Sequence, residues 1–494
     1  MLVVGGGING AGIARDLSGR GLKVLLTEKD DLAAHTSSSS TKLIHGGLRY
    51  LEYYEFAMVR KSLAEREVLL NSAPHIMWPL RFVMPHDASA KSARPVWMIR
   101  IGLFLYDHLA KRELLAGSTT VDLRTHAAGQ PLKPLFTKGF VYSDGWVDDA
   151  RLVVLNAIDA REHGASVLTG WRCVDAQRSA AQWQVQLEST TGERRSVTAR
   201  ALVNAAGPWA AQFLGEHAHL PQSKTLRLVK GSHIVVKKLF EHDHAYIFQN
   251  PDKRIIFAIP YEGDFTLIGT TDADHEPGDP IEASSQEIAY LCAGASEYFR
   301  EPVTPDDVVW SYAGVRPLVD DGSGKPETAS RGYRFDINTD ADGGAPLLSV
   351  FGGKITTYRH LAESAVAQLR QWLPQLDGAS WTATKPLPGG DFPVRDAAVV
   401  GDALRSDYPF LDAFTAKRLA RCYGTRAYAW LGDAQSWVDL GDAFGHGLTS
   451  AEVDYLTGQE WARTTDDILW RRSKLGLRFD PKQTTELANY LTHK

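Results

Sequence analysis

Leu2-Val3-Val4-Gly5-Gly6-Gly7-Ile8-Asn9-Gly10 is the stretch that decides the fold, because three apolar residues lead directly into the pattern GxGxxG. The apolar run predicts a short buried strand, and residues 11–17 predict the helix that follows. In such a turn Gly5 reverses the chain, Gly7 lets the backbone approach a ligand, and Gly10 lets the helix pack closely on the strand. The helix N-terminus then faces a phosphate, so the turn predicts a dinucleotide site.

An acidic residue stands where a dinucleotide site needs one. Residues 23–27 predict a second buried strand that closes on Glu28, roughly 20 residues beyond the turn. A carboxylate at this position binds the hydroxyls of an adenosine ribose and disfavours the 2′-phosphate of NADP. The pattern therefore leaves FAD and NAD as the candidate cofactors.

Two segments far along the chain favour FAD. Residues 202–209 (LVNAAGPW) predict a strand that runs into a turn of small residues, and residues 349–354 (SVFGGK) predict a strand that runs into a Gly-Gly turn. One Rossmann unit with two remote returns to the same sheet is typical of flavoproteins, whose long cofactor is contacted at several points. We therefore expect FAD to be the cofactor.

Four segments place basic residues beside glycine or other small residues, namely KLIHGGLRY (42–50), KGSH (230–233), GVRP (314–317) and KITTYR (354–359). The planar fork of arginine matches the oxygens of a phosphate, and lysine supplies a compact positive charge. Each segment by itself also fits a solvated or structural residue. Their joint presence, with Arg331 after the loop 320–330, predicts a small anionic substrate.

Oxidation of an alcohol by hydride transfer needs a base for the hydroxyl proton and positive charge near the developing alkoxide. Histidine titrates in the useful pH range, so His45 and His233 are the candidate bases. Arg316 and Lys354 are the candidates for stabilising the alkoxide or the reduced flavin. Either histidine would equally fit a residue that only supports its neighbours, and that alternative stays open.

The composition excludes several classes of protein. The chain of 494 residues is too long for one compact core and predicts two or three domains. Its net charge is -5, from 54 basic and 59 acidic residues, so no basic field exists to hold nucleic acid. The three cysteines, Cys173, Cys292 and Cys422, lie far apart, which excludes a CxxC metal or redox site and argues against a disulfide framework.

Targeting and membrane signals are sparse. The glycine turn begins at Gly5 and leaves no room for the apolar region of a signal peptide. The sequence contains no run of about 18 apolar residues, so no membrane-spanning helix is predicted. Residues 96–109 are unusually apolar, interrupted by Arg100 and Asp107, and have basic residues on both flanks. They fit either a buried helix or a helix that lies on a membrane surface.

The remaining pattern predicts several further elements. Helices are expected at 56–69 and 357–372, an exposed antiparallel strand at 183–187, and a separate antiparallel sheet at 234–236, 255–259 and 265–268. From residue 391 onward the pattern is helical and amphipathic. There Thr449-x-x-Glu452 is a candidate capping box, and Gly424 is a candidate helix stop.

Together these observations predict an α/β fold of mixed α+β character. A Rossmann-like FAD-binding domain is interleaved with an antiparallel-sheet substrate domain, and a helical C-terminal domain follows. The expected FAD-binding domain is discontinuous and comprises residues 1–72, 145–220 and 331–385. Residues 73–144 and 221–330 are expected to form the substrate-binding, membrane-facing domain, and residues 390–494 the helical domain.

Several segments together resemble the FAD-dependent glycerol-3-phosphate dehydrogenase family, especially its aerobic respiratory members from bacteria. The resemblance rests on residues 36–56 (TSSSSTKLIHGGLRYLEYYEF), 230–236 (KGSHIVV), 269–272 (GTTD), 312–318 (YAGVRPL) and 351–359 (FGGKITTYR). These motifs are long, and the resemblance runs over essentially the whole chain. Family members usually have several residues before the first strand, whereas Met1 here almost begins it.

The resemblance implies oxidation of sn-glycerol 3-phosphate to dihydroxyacetone phosphate, with hydride transfer to flavin N5 and electrons passed to membrane ubiquinone. It also implies a homodimer that is bound, as a peripheral monotopic protein, to the cytoplasmic face of the inner membrane. The residues implied to bind the substrate are Arg49, Tyr50, Thr270, Arg316, Arg331 and Lys354, with Thr271, Asp272 and His233 nearby.

The residues expected to bind FAD come from the glycine turn, the serine-rich loop, the remote returns and the resemblance. They are Gly5, Gly7, Ile8, Asn9, Gly10, Glu28, Lys29, Thr36, Ser37, Ser38, Lys42, Leu43, His45, Gly46, Gly47, Cys173, Ala205, Ala206, Gly207, Trp209, Gly353, Lys354, Ile355 and Thr356. No metal site is expected.

Three other functions stay open as alternatives. A glycerol-3-phosphate oxidase would pass the electrons to oxygen, and such enzymes tend to carry an extra insertion that is not evident here. A flavin amine oxidase would not need this many cations. A flavin-bound module without turnover would not need the full set of polar site residues.

Overall fold

A computed structural model describes residues 1–87, 94–179, 181–221, 226–252, 254–319, 332–339 and 344–493. Its strands are β1 (Leu2–Val4), β2 (Leu25–Glu28), β3 (Leu43–Ile44), β4 (Met77–His86), β5 (Thr119–Asp122), β6 (Lys138–Val147), β7 (Ser166–Thr169), β8 (Trp171–Ser179), β9 (Gln182–Ser189), β10 (Arg194–Ala199), β11 (Leu202–Asn204), β12 (Leu226–Lys237), β13 (Ala245–Gln249), β14 (Ile255–Tyr261), β15 (Phe265–Gly269), β16 (Ala273–Asp274), β17 (Val308–Val319), β18 (Tyr333–Asn338), β19 (Leu347–Gly352), β20 (Ala443–Gly445) and β21 (Leu448–Thr449).

Its α-helices are α1 (Ile8–Gly19), α2 (Phe56–Ser72), α3 (Val96–His108), α4 (Asp149–Glu162), α5 (Ala210–Gln212), α6 (Ser285–Ser296), α7 (Tyr358–Leu369), α8 (Ala397–Asp407), α9 (Ala413–Tyr423), α10 (Tyr428–Leu431), α11 (Ser450–Glu460) and α12 (Pro481–Thr492). The mixed α/β class expected from the sequence is confirmed. The helices expected at 56–69 and 357–372 correspond to α2 and α7.

A six-stranded sheet with the order β18-β19-β11-β1-β2-β7 carries the glycine turn. β1 lies at its centre and runs parallel to β11 and β2, and β19 runs parallel to β11. The two remote segments at 202–209 and 349–354 therefore return to the same sheet, as the sequence predicted. Ligands in such sheets bind beyond the carboxyl ends of the strands, which is where the turn stands.

Apolar residues of α1, α4 and α7 join the faces of these strands in one buried core. Ile13 and Leu17 of α1, Val153 of α4 and Leu361 of α7 are fully buried there together with Val3 of β1. α1 follows the turn without a break because its second and third turns supply this apolar contact. Packing of α1 on the sheet fixes where its N-terminus points.

A ten-stranded sheet, counted within the described residues, forms the second layer. Its path is β16-β12-β15-β14-β13-β4-β6-β3, with β17 beside β12 and β5 beside β6. The strands expected at 234–236, 255–259 and 265–268 all belong to it and pair antiparallel. β12 and β17 are long neighbours whose register places Val229 opposite Arg316 and His233 opposite Tyr312. This pairing brings two of the predicted basic segments together.

The strand expected at 183–187 exists as β9, but the expectation that it is exposed is wrong. β9 pairs antiparallel with β8 and β10 in a three-stranded sheet. Trp183, Val185 and Leu187 are fully buried, since this side of the sheet packs against residues such as Phe213 and Leu347. The polar residues between them face outward, so the alternation marked one buried side and one solvated side.

The C-terminal region is helical, as expected, and also contains the short pair β20 and β21. Gly424 follows α9 with a φ of 56°, which confirms the helix stop. The capping box at Thr449 and Glu452 is wrong, because the Thr449 side chain caps nothing. Glu452 is fully buried and accepts hydrogen bonds from Arg418 and from the Tyr423 hydroxyl instead.

Of the two interpretations of residues 96–109, the buried helix is wrong. α3 buries only Leu103 and Tyr106, while Trp97, Ile101 and Phe104 are 62%, 52% and 59% exposed. Arg94, just before α3, forms an ion pair of 2.5 Å at the surface with Glu52. In the part of the chain that is described, no helix combines the length and the apolar character that crossing a membrane requires.

Candidate active site

Two cavities meet at the glycine turn. One has a volume of about 330 Å³ and extends along β2 and β8, and the other, of about 260 Å³, extends toward β12, β17 and the end of β19. Both are lined by Gly7, Thr36, Ser37, Ala205, Gly207 and Pro208. Together the cavities form an elongated space that bends around the N-terminus of α1, which suits a long dinucleotide.

The glycines of the turn are required by close backbone contacts. A β-carbon on Gly10 would overlap the carbonyl oxygen of Gly5, and one on Gly5 would overlap the carbonyl oxygen of Ala205. Gly5 also has a φ of 110°, a conformation that other residues rarely adopt. The turn thus places the N-terminus of α1 directly against the strand ends, as the GxGxxG pattern predicted.

Glu28 holds the turn from beneath. Its carboxylate accepts hydrogen bonds from the backbone N–H groups of Gly6 (2.6 Å) and Asp30 (3.0 Å). Burial raises the pKa of Glu28 above its usual value, although these hydrogen bonds act in the opposite direction. Glu28 also lines the larger cavity, so its predicted contact with a ribose stays a prediction with compatible geometry.

The contacts of the Asn9 side chain show whether the smaller cavity fits a cofactor. Its side-chain nitrogen donates to the Gly352 carbonyl (3.1 Å), which ties the first turn of α1 to the end of β19. Its Oδ1 is buried and has no hydrogen-bond partner among the described residues. An unpaired buried acceptor beside Gly353 is costly without a ligand that donates to it. The residues present therefore fit a polar cofactor at this end of the space.

The larger cavity gathers the residues expected to bind the adenosine side of the cofactor. The Lys29 ammonium lies 4.1 Å from the centre of the Trp209 ring, and both residues line the space. Cys173 lines it too, and burial raises the pKa of its thiol to about 12, so the sulfur is an apolar wall rather than a nucleophile. Ser37 Oγ accepts from the Ile8 N–H (3.0 Å).

One carboxylate of this region also belongs to the only group of potential metal ligands found among the described residues. Glu28, Asp30 and His35 bring one ligand atom each within 4.8 Å of one another. His35 Nε2 is already 2.7 Å from Asp30 Oδ2, and Glu28 already accepts two backbone hydrogen bonds. These contacts satisfy the three side chains within the protein.

The smaller cavity gathers the residues expected to bind an anionic substrate. Tyr50, Thr270, Arg316 and Lys354 all line it. Arg316 Nη2 donates to the Thr271 carbonyl (2.9 Å) and contacts Asp272 Oδ1 (2.8 Å). The Lys354 ammonium lies 4.0 Å from the centre of the Tyr50 ring. Two cations thus border one small space at the end of the cofactor-shaped cavity.

Both candidate bases also line the smaller cavity. His233 is buried, lies 4.8 Å from the Tyr312 ring in a stacked arrangement, and shares a hydrogen bond of 2.9 Å between Nε2 and Thr41 Oγ1. Its Nδ1 has no partner among the described residues. Burial lowers the pKa of His233 well below its usual value, and Lys42 and Arg316 add to the effect. The imidazole is therefore neutral at physiological pH.

Some predicted residues are not brought to either cavity. The expectation that the Lys42 side chain binds the cofactor is corrected, because its ammonium is buried against Asp149 (2.7 Å) and the Ser38 carbonyl (3.0 Å). Gly46 donates its N–H to the Tyr106 hydroxyl (2.8 Å), and Gly47 begins a short 3-10 helix. Arg49 contacts the Tyr53 hydroxyl near the surface.

The side chain of Ser38 is likewise turned away, donating to the His35 carbonyl (3.2 Å). Arg331, together with the loop 320–330, lies outside the described residues. The sequence reasoning missed Gly231 and Gly314, which face each other across β12 and β17 and line the smaller cavity. Their signal was present, since each glycine stands beside a basic segment and a β-carbon on Gly231 would overlap the Arg316 guanidinium.

Comparison with families of known proteins gives two matches. The family described as "FAD dependent oxidoreductase" matches residues 1–359, and the family described as "C-terminal domain of alpha-glycerophosphate oxidase" matches residues 380–492. The two matches follow each other along the chain, and most of α7 lies in the gap of residues 360–379 between them. The first match covers more than half of the chain and includes both cavities.

Comparison with individual proteins identifies relatives of nearly equal length. A glycerol-3-phosphate dehydrogenase of Pseudomonas aeruginosa is 53% identical, covering 99% of this chain and 94% of its own. A D-erythritol 1-phosphate dehydrogenase of Brucella abortus is 51% identical, covering 96% and 94%. Among solved structures, the glycerol-3-phosphate dehydrogenase of Bacillus halodurans complexed with FAD aligns with a TM-score of 0.74 and 26% identity, covering 100% and 93%.

Proposed function

We propose that this chain, which belongs to the family of FAD-dependent oxidoreductases and has FAD as its cofactor, oxidises a phosphorylated alcohol. The proposed reaction converts sn-glycerol 3-phosphate to dihydroxyacetone phosphate. The observation that carries the proposal is the pair of cations, Arg316 and Lys354, that borders the smaller cavity next to the cofactor space. Relatives named for polyol phosphates support the same substrate class.

Bound FAD would supply the two-electron acceptor for the hydride that leaves the carbinol carbon of the substrate. The protein supplies the remaining functions. The guanidinium of Arg316 suits the phosphate oxygens, and the ammonium of Lys354 suits negative charge that develops on the reacting oxygen. Tyr50 and Thr270 complete the polar lining of this space.

We assign the role of proton acceptor to His233 rather than to His45. His233 is neutral and buried, and its Nδ1 lacks a partner among the described residues. A neutral imidazole carries a lone pair that can receive the hydroxyl proton, and the negative charge of a bound phosphate would raise its lowered pKa. In the tautomer in which Nε2 donates to Thr41 Oγ1, Nδ1 carries that lone pair.

Anaerobic mixing of the FAD-loaded protein with glycerol 3-phosphate tests the proposal directly. We expect the oxidised flavin absorbance to bleach, and dihydroxyacetone phosphate to appear in equal amount. Glycerol without the phosphate is the matched control and should bleach the flavin far more slowly, because it cannot use Arg316. An unbleached flavin would overturn the proposed function.

D-Erythritol 1-phosphate is the second candidate substrate, favoured by the 51% identity to a dehydrogenase of that name. It carries the same phosphate and a secondary hydroxyl but is one carbon longer. The same anaerobic assay, run with both substrates, distinguishes them by the ratio of the rate constants for flavin reduction. A ratio in favour of the longer substrate would replace glycerol 3-phosphate in the proposal while keeping the site.

The electron acceptor is proposed to be ubiquinone in the cytoplasmic membrane, reached by a homodimer that is bound peripherally to the inner face. The exposed apolar side of α3 supports membrane binding, since Trp97, Ile101 and Phe104 are each more than half exposed to solvent. A glycerol-3-phosphate oxidase is the alternative. Reoxidation in air that yields one hydrogen peroxide per substrate, unaffected by a quinone, would favour the oxidase.

A further inference from the structure

A third cavity, of about 570 Å³, lies behind one wall of the proposed substrate site. Thr271 and Asp272 line this rear cavity, whereas Thr270 and Arg316 line the substrate cavity in front. Residues 270–272 are therefore a thin partition between two spaces. Thr271 is buried in this partition, whereas Thr270 and Asp272 on either side of it are half-buried.

Glu287, in the first turn of α6, braces this partition from the rear. Its Oε1 accepts hydrogen bonds from Thr271 Oγ1 (2.8 Å) and from Ser232 Oγ (2.8 Å). The Ser232 N–H in turn donates to Thr271 Oγ1 (2.9 Å). One carboxylate oxygen thus ties the partition to β12, the strand that also carries His233.

The other carboxylate oxygen of Glu287 serves the helix. Oε2 accepts from the N–H (3.1 Å) and the hydroxyl (2.9 Å) of Ser284, which completes the capping box of α6, and it contacts Lys230 Nζ (3.0 Å). A capping box needs no more than this. Burial acts to raise the pKa of Glu287, but the hydrogen bonds from Ser284, Thr271, Ser232 and Lys230 outweigh it and lower the pKa to about 2.

The partition in turn holds the guanidinium in front of it. Arg316 Nη2 donates to the Thr271 carbonyl (2.9 Å) and contacts Asp272 Oδ1 (2.8 Å). These two partners belong to neighbouring residues of the partition. A shift of the partition toward the rear cavity would therefore carry the guanidinium with it, away from the substrate space.

We propose that Glu287 is a positioning residue, whose Oε1 braces the partition at residues 270–272 and thereby fixes Arg316 for the substrate phosphate. The inference rests on the proposed function, because it assumes that an anion binds at Arg316. Glu287 itself does not line the substrate cavity, and it acts through Thr271.

Three variants test separately the contacts made by the two carboxylate oxygens of Glu287. Thr271→Val removes the Oε1 arm, Ser284→Ala removes the helix cap on Oε2, and Glu287→Gln weakens both. We expect Glu287→Gln and Thr271→Val each to raise the substrate concentration for half-maximal anaerobic flavin reduction about tenfold. Their combination should lose little more than either alone, since both act on one contact. Ser284→Ala should lower the thermal midpoint while the flavin reduction stays within about twofold of wild type.

The proposal is overturned if Glu287→Gln behaves like Ser284→Ala, with a lower thermal midpoint and an unchanged dependence of flavin reduction on substrate. If Glu287→Gln does not fold, Thr271→Val with an unchanged dependence overturns it as well. FAD content and the flavin spectrum serve as the check that each folded variant keeps its cofactor.

Titration with inorganic phosphate, followed by the perturbation of the flavin spectrum, separates failure of this proposal from failure of the proposed function. If glycerol 3-phosphate does not bleach the flavin but phosphate binds, and Glu287→Gln weakens phosphate binding about tenfold, then the substrate is wrong and the positioning role stands. If the wild-type protein responds to neither compound, both proposals are overturned.

Discussion

Arg316 reaches the substrate cavity with part of its hydrogen-bonding capacity already committed to the protein. Nη2 is held by the Thr271 carbonyl and by Asp272, and these contacts restrict the orientation of the guanidinium at the edge of the cavity. Only 30% of its side chain is exposed. A cation held in this way binds an anion with less loss of side-chain freedom than a flexible one.

Replacement of Arg316 by alanine should cripple flavin reduction and leave FAD bound. Loss of a charged hydrogen bond to the phosphate costs about 2–3 kcal/mol, or roughly 100-fold in the second-order rate constant for reduction. Stopped-flow absorbance under anaerobic conditions measures this constant. Arg227→Ala is the matched control, because Arg227 pairs with Asp274 on the same sheet and does not line the cavity. Equal rates for wild type and Arg316→Ala would remove Arg316 from the site.

The sequence predicted which residue types belong to the site better than it predicted where each side chain points. Arg316, Lys354, His233 and Tyr50 were expected from motifs and do line one cavity. Lys42 belongs to an equally conspicuous motif, but its φ of 60° and its ion pair with Asp149 turn it into the interior. Motif membership does not determine where a side chain points, because direction is set by contacts with residues far away in the chain.

At the scale of elements, the turn from β1 to α1 needs glycine at position 10 because no other residue leaves enough space there. Gly10→Ala should lower the FAD content of the purified protein, because its β-carbon would overlap the Gly5 carbonyl oxygen and push α1 off the strand ends. The ratio of flavin to protein absorbance measures the loss. Gly458→Ala in α11 is the control: its β-carbon meets nothing within 4 Å, so that variant should keep its FAD. Equal FAD contents in the two variants would contradict the argument.

The exposed side of α3 should contribute to membrane association. Replacing Trp97 and Phe104 by glutamate removes apolar area that would otherwise enter the lipid interface, so binding to vesicles with anionic lipid should weaken by about tenfold or more. Sedimentation with vesicles measures the bound fraction. Val438→Glu, at an apolar residue that is even more exposed (85%), should leave binding unchanged. Undiminished binding of the α3 variant would exclude this surface.

Two sequences of the capping-box type show why elements were only partly predictable. Thr449-x-x-Glu452 was expected to cap a helix, but Glu452 is drawn into the core by Arg418. Ser284-x-x-Glu287 does form the box, and its glutamate also accepts a hydrogen bond from Thr271, behind the site. Both stretches offer the same local chemistry. The choice between them depends on which charged or hydroxyl groups the tertiary fold brings near, and that information is absent from a four-residue pattern.

For the whole molecule, the fold class and the shared sheet of three remote segments followed from the sequence because periodicity and glycine turns are local signals. The proposed domain limits stay a prediction. The sequence did not reveal the joint between the two family regions, where His75 lies against Gly390 and Gly424. That joint consists of contacts between residues hundreds of positions apart, which no local pattern encodes.

His75 should make the stability of the whole chain sensitive to acid. Burial lowers its pKa to about 3, with help from Arg151 and Arg421, and neither ring nitrogen has a partner among the described residues. Below pH 6.5 the unfolded chain binds a proton at this residue and the folded chain does not. The free energy of unfolding should therefore fall, through this residue, by about 1.4 kcal/mol per pH unit as the pH decreases from 6.5 toward 3.

Urea denaturation of wild type and His75→Leu at pH 7 and pH 5.5, followed by tryptophan fluorescence, measures this contribution. The difference in unfolding free energy between the two pH values should be smaller in the variant by about 1.4 kcal/mol. His493→Gln, at an exposed histidine near the end of the chain, should behave like wild type. Identical pH dependence for wild type and His75→Leu would contradict the assignment.

The buried ion pairs between the two regions can form only late during synthesis of the chain. Arg151 is paired with Glu460, and Asp31 with Arg472 at 2.8 Å. Glu460 leaves the ribosome 309 residues after Arg151, which corresponds to a delay of roughly 15–60 s at bacterial elongation rates. During that interval Arg151 and Asp31 lack the partners Glu460 and Arg472, so burying their charges would be unfavourable. The contacts of Arg151 and Asp31 are thus completed only after Glu460 and Arg472 have been translated.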